Sequence, residues 1–594
     1  MTTSTASMGP ATWYHRHAEA LAGMLLLLVY VLALSSVPKQ VFWHPDEGAK
    51  FVGMRTLRWD RGLAYSVPYP GRAMDPTFEF YPGHCRGGDI YPSPQLDGTV
   101  DFRWPIWFPL ASRPFFDAFG LTGVYVLPLL GGWLSAVVAG RWMMLAGSRL
   151  APLAILLIGC GTPVFFYSLC FFEHTLATFA AVVALSMLIT PSVCGWRTAL
   201  QMMPLLVAAV VLRIEMLPFA AAVAFSWAVS RTIERFRLGD ASARAARVSW
   251  SSAVIVGAVV VVVLVLLGSL LGPRQLDALH ALPDVVGRNL AKWPYLISAT
   301  VRLLIGPLDL GPFSGWAWQL LLVLATAAAA VAPFVRSRRA EAVLILGALA
   351  VLTVPSLMIA FVSRPFLGRQ GVLGVAPYMI VGTYVLVHAW RRRDSRLLRL
   401  ACAATAYAAF GYLALFSVRV NEGGDELIGL DGCARYMLML YPMGVVLSLV
   451  AIQTIRGSPR SELVKSAVTI FVAAMCITSC VYELRALREM RSNKQVLVAW
   501  EAALGSGDRI VTDIWWLPAV LAPLSTTHEV YCVDEMTAFP EWLARARAHG
   551  ARSFVFCTTH GGDWDAFRTG DPGLIRDAGH DVDGLHIYPF RFGR

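Results

Sequence analysis

Long apolar runs separated by short basic stretches dominate the chain. A run of about 20 residues can cross a bilayer as one helix. The first run occupies 19–37 and is followed by a long polar segment, 38–120. Runs at 121–140, 150–170 and from Phe172 to before Pro191 come next. The run 199–230 is too long for one span and is interrupted by Arg213-Ile214-Glu215, so it reads as two short helices meeting at that charged pair. A further run, 250–271, precedes a second polar segment, 272–315. The last six runs fall near 316–335, 341–362, 372–390, 400–418, 436–455 and 463–481. The pattern predicts a polytopic α-helical membrane protein with about thirteen transmembrane helices. No repeat of 20–50 residues is evident.

Composition agrees. Of 594 residues 56% are hydrophobic and 15% charged, against roughly 25% charged in soluble domains. Mean hydropathy is +0.57. The first apolar run also has the look of a signal peptide, but it serves here as the first membrane anchor. The net charge of +11 does not imply nucleic acid, because the basic residues sit in short loops. Clusters at Arg231/Arg235/Arg237/Arg244/Arg247, Arg336/Arg338/Arg339, Arg391/Arg392/Arg393/Arg396/Arg399 and Arg456/Arg460/Lys465 fall on one face when spans are counted. That face reads as cytoplasmic. The segment 38–120 falls on the other, with nine basic and nine acidic residues. An odd number of spans places the C-terminal region outside as well.

Two domains follow: a membrane domain, 1–482, with a structured first external loop, and a small extracytoplasmic α/β domain, 483–594. The loop is rich in aromatics and prolines, which can bury surface and hold shape. Ala49 to Trp59 suits a short helix lying in the membrane interface. In the C-terminal domain, Arg509 to Ile514, Glu529 to Val533 and Ser553 to Thr558 read as strands of a parallel sheet, and Phe539 to Ala548 as an amphipathic helix. Of ten cysteines, Cys85, Cys433, Cys532 and Cys557 fall outside and leave room for one or two disulfides of undetermined pairing.

Candidate chemistry concentrates at the outer membrane edge. Asp46 and Glu47 follow the first span directly, beside His44 and Lys50. A membrane enzyme that deprotonates a hydroxyl needs such a carboxylate. Alternatively, Asp46 caps a helix starting near Glu47. Glu173 and His174 open the fourth span, where they either orient a sugar hydroxyl, support Asp46 or cap the helix. Arg213 and Glu215 interrupt an apolar run; a pair there faces a cavity or braces neighbouring helices. Arg435 and Tyr436 follow a Gly-rich stretch, and an Arg there either meets a lipid phosphate or snorkels to headgroups. No cofactor is expected. Acidic groups leave a divalent metal open, but no ligand spacing appears.

The Asp46-Glu47 pair, Glu173-His174, Arg213-x-Glu215 and the late Gly-Gly…Arg435-Tyr436…Tyr-Pro occur in an order that resembles the GT-C superfamily of glycosyltransferases. The arrangement looks like that of the bacterial protein-mannosyltransferase and lipid A aminoarabinose-transferase type. The resemblance implies a GT-C-like membrane domain in the cell membrane, with an active site facing outside. It implies an inverting transfer of a sugar from a polyprenyl-phosphate donor to a hydroxyl of a glycan, lipid or protein acceptor. Asp46 and Glu47 would be catalytic; His44, Lys50, Glu173, His174, Arg213, Glu215, Arg435 and Tyr436 would bind substrate. No β-trefoil acceptor region accompanies the motifs. A transporter or flippase of a lipid-linked or small polar substrate is the rival reading, and a sugar-binding sensor a third.

Overall fold

The computed structural model describes residues 10–58, 64–87, 92–94, 100–102, 105–190, 196–238, 337–358, 372–392, 394–414, 419–420, 427–428, 437–504, 509–533, 538–559, 573–582 and 584–593, with a few single positions between 324 and 335. The predicted span 250–271, the segment 272–315 and the residues Arg435 and Tyr436 lie outside the described residues. The chain divides into two compact units. The first holds Met1–Leu32, Pro128–Leu169 and Glu173–Ala486; the second holds Ala33–Leu127, Cys170–Phe172 and Leu487–Arg594.

The protein is a multi-pass membrane protein. Among the described residues, His17–Ser35, Trp107–Leu145 and Glu462–Gln495 are long and apolar enough to cross a membrane. Five shorter apolar helices accompany them, including His174–Ile189, Arg197–Leu212 and Leu440–Arg456.

The first unit is helical, and its irregularities follow from identifiable residues. The run expected as one span over 150–170 is two helices, Ala151–Cys160 and Val164–Ser168. Pro163 has no N–H for a continuing helix, and Gly161-Thr162 precede it. The run expected over 372–390 breaks likewise at Pro377, into Val372–Val375, a 3-10 turn Pro377–Gly382 and Thr383–Arg392. The run 199–230 divides where the charged pair predicted it. Trp196–Leu212 ends, Arg213 takes an extended conformation, and Leu217–Leu238 starts after one 3-10 turn. Helices approach closely at small residues: a Cβ on Gly131 would lie 2.7 Å from the Leu176 amide. Close backbone contact of this kind is a main source of helix association in membranes.

The last long helix runs through the expected domain boundary. It runs from Glu462 to Leu504, 43 residues, or roughly 65 Å at 1.5 Å per residue. The expected end of the last span at 481 and the expected start of the C-terminal domain at 483 both fall inside it. The division between units falls at Ala486 and Leu487, also within the helix.

The second unit joins the first polar segment to the C-terminal domain. Helix starts in that segment earlier than expected, at Trp107 rather than 121. The short helix near its beginning is Pro45–Thr56, and nine of its twelve residues are buried. It is a packed core helix and does not lie exposed in the interface. Farther on, Asp75 orders the loop: its carboxylate accepts from Tyr69 Oη, the Glu79 N–H and the Phe80 N–H at 2.8, 2.9 and 2.8 Å. Phe78, inside that loop, has φ of 60°, a conformation uncommon for a bulky side chain.

Among the described residues the C-terminal sheet has six strands: β1 (Arg509–Thr512), β2 (Glu529–Cys532), β3 (Ser553–Thr558), β4 (Leu574–Arg576), β5 (His580–Val582) and β6 (Leu585–Phe592). The order is β4-β6-β3-β1-β2, with β5 on β6. β1 pairs parallel with β2 and β3, as expected, whereas β6 pairs antiparallel with β3, β4 and β5. The sheet is therefore mixed, and the expected helix spans Phe539–Ala548. Val41, Trp500, Ile510, Leu517, Val530, Val555 and Ile587 share one core cluster. The cluster thus joins the first loop and the last helix to the sheet. Cys532 is disulfide-bonded. Cys557 is a free, buried thiol and so is not one of the outer disulfide partners.

Candidate functional site

The Pro45–Thr56 helix begins with a capping box. The Asp46 N–H donates to His44 Nδ1 at 3.1 Å, and the His44 N–H donates to Glu47 Oε1 at 3.1 Å. His44 is thus the N-cap, and the expectation that Asp46 caps the helix is corrected. The residue that completes the box is Glu47, at the third helical position, where Glu is favoured. Asp46 Oδ2 also lies 3.5 Å from the same Nδ1.

Glu47 is turned inward. It is 1% exposed, and its other oxygen, Oε2, accepts the Phe171 N–H at 2.7 Å. Each oxygen therefore holds a backbone amide, one from the start of its own helix and one 124 residues away. Burial pushes its carboxyl up to about 7, against the pull of the Phe171 and His44 amides and of Lys50. The resemblance implies a catalytic role for Glu47; its two hydrogen bonds tie the start of this helix to the 170–172 turn.

Around it is an aromatic packing. Phe171 stacks on Phe42 at 6.2 Å between ring centroids and lies 4.9 Å from Phe108. Phe172 lies 5.9 Å from the His44 ring. Lys50, one turn after Asp46, is buried with Nζ 4.4 Å from the Phe172 ring centre, a cation–π distance. Asp46 keeps 16% of its side chain exposed. The positive end of the helix dipole favours an anion where Asp46 stands. At the far end of the helix Arg113 Nη1 donates to the carbonyls of Met54 and Leu57 at 3.0 and 3.1 Å. Both ends are thus secured by side chains, and Arg113 carried no signal in the sequence for that role.

The charged residues of the first unit form a separate arrangement. Glu173 is the N-cap residue of His174–Ile189 but makes no side-chain cap bond. Its Oε1 instead accepts from Arg213 Nη1 at 2.8 Å, and Arg213 Nη2 donates to Glu215 Oε1 at 2.5 Å. Arg213 is 8% exposed, Glu173 3% and Glu215 28%. His174 is buried and stacks on Tyr167 at 5.4 Å and 18°. The break at Arg213 makes the bridge: an extended residue between two helices can turn its fork to carboxylates on both sides.

No family model matches the chain, and no curated protein matches it. Its structure is similar to two crystal structures of ArnT from Cupriavidus metallidurans, one in the apo state and one bound to undecaprenyl phosphate. The TM-scores are 0.47 and 0.46, with 12% sequence identity in both cases, over 96% of this chain and 97% of that one. A likeness of that degree fixes no residue's role.

Of the predicted site residues, His44, Asp46, Glu47 and Lys50 come together at the start of one helix. Glu173, Arg213 and Glu215 come together in one ion-paired bridge with His174 adjoining in sequence. Among the described residues no group of three or more His, Cys, Asp and Glu is arranged as a metal site.

Proposed function

We propose that the chain is an inverting glycosyltransferase that moves a sugar from a polyprenyl-phosphate donor to a hydroxyl acceptor on the outer face of the membrane. The observation that carries the proposal is the setting of Asp46. It is a partly exposed carboxylate at a helix N-terminus, and its neighbour Glu47 is wholly engaged with backbone amides. Asp46 takes the proton of the acceptor hydroxyl as that oxygen attacks the anomeric carbon. The bond from that carbon to the phosphate oxygen breaks, and polyprenyl phosphate leaves with the electron pair. Attack from the face opposite the leaving group inverts the centre. His44 lines the same helix start, and Lys50 supplies a buried positive charge one turn below. In the proposal Arg435 and Tyr436 meet the donor phosphate, where a guanidinium fork matches its oxygens. The outer location of the loop and the C-terminal domain rests on the charge asymmetry of the loops.

The test is a panel of polyprenyl-phosphate sugars offered to the purified protein in nanodiscs, with release of polyprenyl phosphate as the readout. Release from at least one donor is expected, and a loss of roughly 10²–10⁴ in turnover for Asp46→Asn. No release across the panel, or near-normal turnover in a stable Asp46→Asn protein, would overturn the assignment.

A further inference from the structure

The C-terminal sheet places β1 between β2 and β3, so the chain leaves β1 on one side and returns on the other. In such sheets a crevice opens beyond the carboxyl ends of the two strands where the direction reverses. Here those strands are β1 and β3, and polar residues stand at their carboxyl ends. Thr558, the last residue of β3, donates through Oγ1 to Asp513 Oδ2 at 2.9 Å, and Asp513 directly follows β1. Two residues farther, Trp515 is 42% exposed, while Trp516 packs against the core cluster.

The segment after the tryptophans is seated on the helix that carries Asp46. A Cβ on Gly48 would lie 1.7 Å from the Ala519 carbonyl oxygen, so only glycine permits this approach. The Phe42 N–H donates to the Val520 carbonyl at 2.8 Å. Trp515 and Asp46 thus belong to one packed body, each within a few residues of the Gly48–Ala519 contact.

We propose that Trp515 is a stacking platform for a sugar ring of the acceptor, with the Asp513–Thr558 pair as the polar floor beside it. A pyranose presents an apolar C–H face and a rim of hydroxyls. An exposed indole beside a few fixed polar groups matches that division. The inference rests on the transferase reading and names its acceptor class, a glycan.

The probes are mannotetraose, maltotetraose and chitotetraose, titrated into the full chain in nanodiscs without donor and followed by saturation-transfer NMR. At least one tetraose binds, Trp515→Ala weakens it on the order of tenfold or more, about the value of one aromatic contact, and Trp515→Phe keeps most of it. Failure of the wild type to bind any of the three, or equal binding by Trp515→Ala, overturns the proposal. Quenching of Trp515 fluorescence by brominated lipids also overturns it, because the indole would then be anchored in the bilayer surface. Binding needs no turnover, so the two readings fail separately. A chain that holds a tetraose through Trp515 but releases no lipid phosphate defeats the transferase and keeps the platform.

Discussion

Two groups of carboxylates meet the same difficulty, that of charge in an apolar setting, and resolve it differently. At the start of the Pro45–Thr56 helix, Glu47 gives both oxygens to backbone amides, and the adjacent Asp46 keeps part of its surface in solvent. At the break between Leu212 and Leu217, Glu173 and Glu215 are bridged by one guanidinium. Backbone amides cannot move away without unfolding the segments that carry them. A bridge of side chains spends its charges on one another and joins helices. The first arrangement fixes the backbone on either side of Asp46; the second links helix ends through side chains. A buried ion pair contributes little net stability, but losing one partner leaves an uncompensated charge.

The comparison breaks most readily at Asp46. Asn at that position leaves the cap intact, because the cap uses the Asp46 backbone N–H and the His44 ring. Turnover should fall by roughly 10²–10⁴ while the melting temperature stays where it was. Arg213→Ala should do the reverse. With Glu173 3% exposed, removing the guanidinium should cost about 3–5 kcal/mol, read as a lower melting temperature in detergent. Adding Glu173→Gln should restore part of it. A stable Arg213→Ala protein that has lost affinity for a polyprenyl-phosphate sugar would instead make the bridge a substrate contact.

How much of this could be read in advance depended on the range of the interaction. Apolar runs marked helices such as His174–Ile189 and Leu440–Arg456, and a charged pair inside one run marked the break at Arg213. The helix Phe539–Ala548 and the strand Ser553–Thr558 were legible to the residue, because their periodicity is local. The capping role of His44 was not, since His is a rare cap, though Glu47 three residues later is a known companion signal. The last helix was read too short because Glu483, Arg485 and Arg488 lower its hydropathy after 481. Its helical spacing persists nonetheless in Tyr482, Ala486, Leu487, Met490 and Leu497, all buried. β4 and β5 are three residues each and carry charged or polar side chains, too short to show alternation. The Phe171 amide that Glu47 holds is 124 residues away, and nothing in the local pattern announces it. The same holds for Asp75 and Arg545, 3.6 Å apart across the second unit.

The smallest expected effect is the most informative about Glu47. Gln keeps the shape but has one acceptor oxygen, and two amides approach. One of them, His44 or Phe171, would then face an NH₂ group, at a cost of about 1–3 kcal/mol for a buried donor left unsatisfied. The pH dependence decides which force governs the wild type. Burial raises the Glu47 carboxyl from 4.5 to about 7 in the folded chain. Between those values the folded state binds more protons than the unfolded one, so stability falls as pH rises. The stabilisation linked to that proton is fully present below about pH 4.5 and is lost as pH climbs through about 7. Glu47→Gln has no such proton. The gap in melting temperature between wild type and Glu47→Gln should therefore be widest near pH 4.5 and narrow toward pH 7.5. A gap that widens with pH would mean that the two amides outweigh burial. Glu47 would then be held ionised, adding its negative charge beside Asp46, and the proton affinity of the proposed base would have to be reckoned with that neighbour charged.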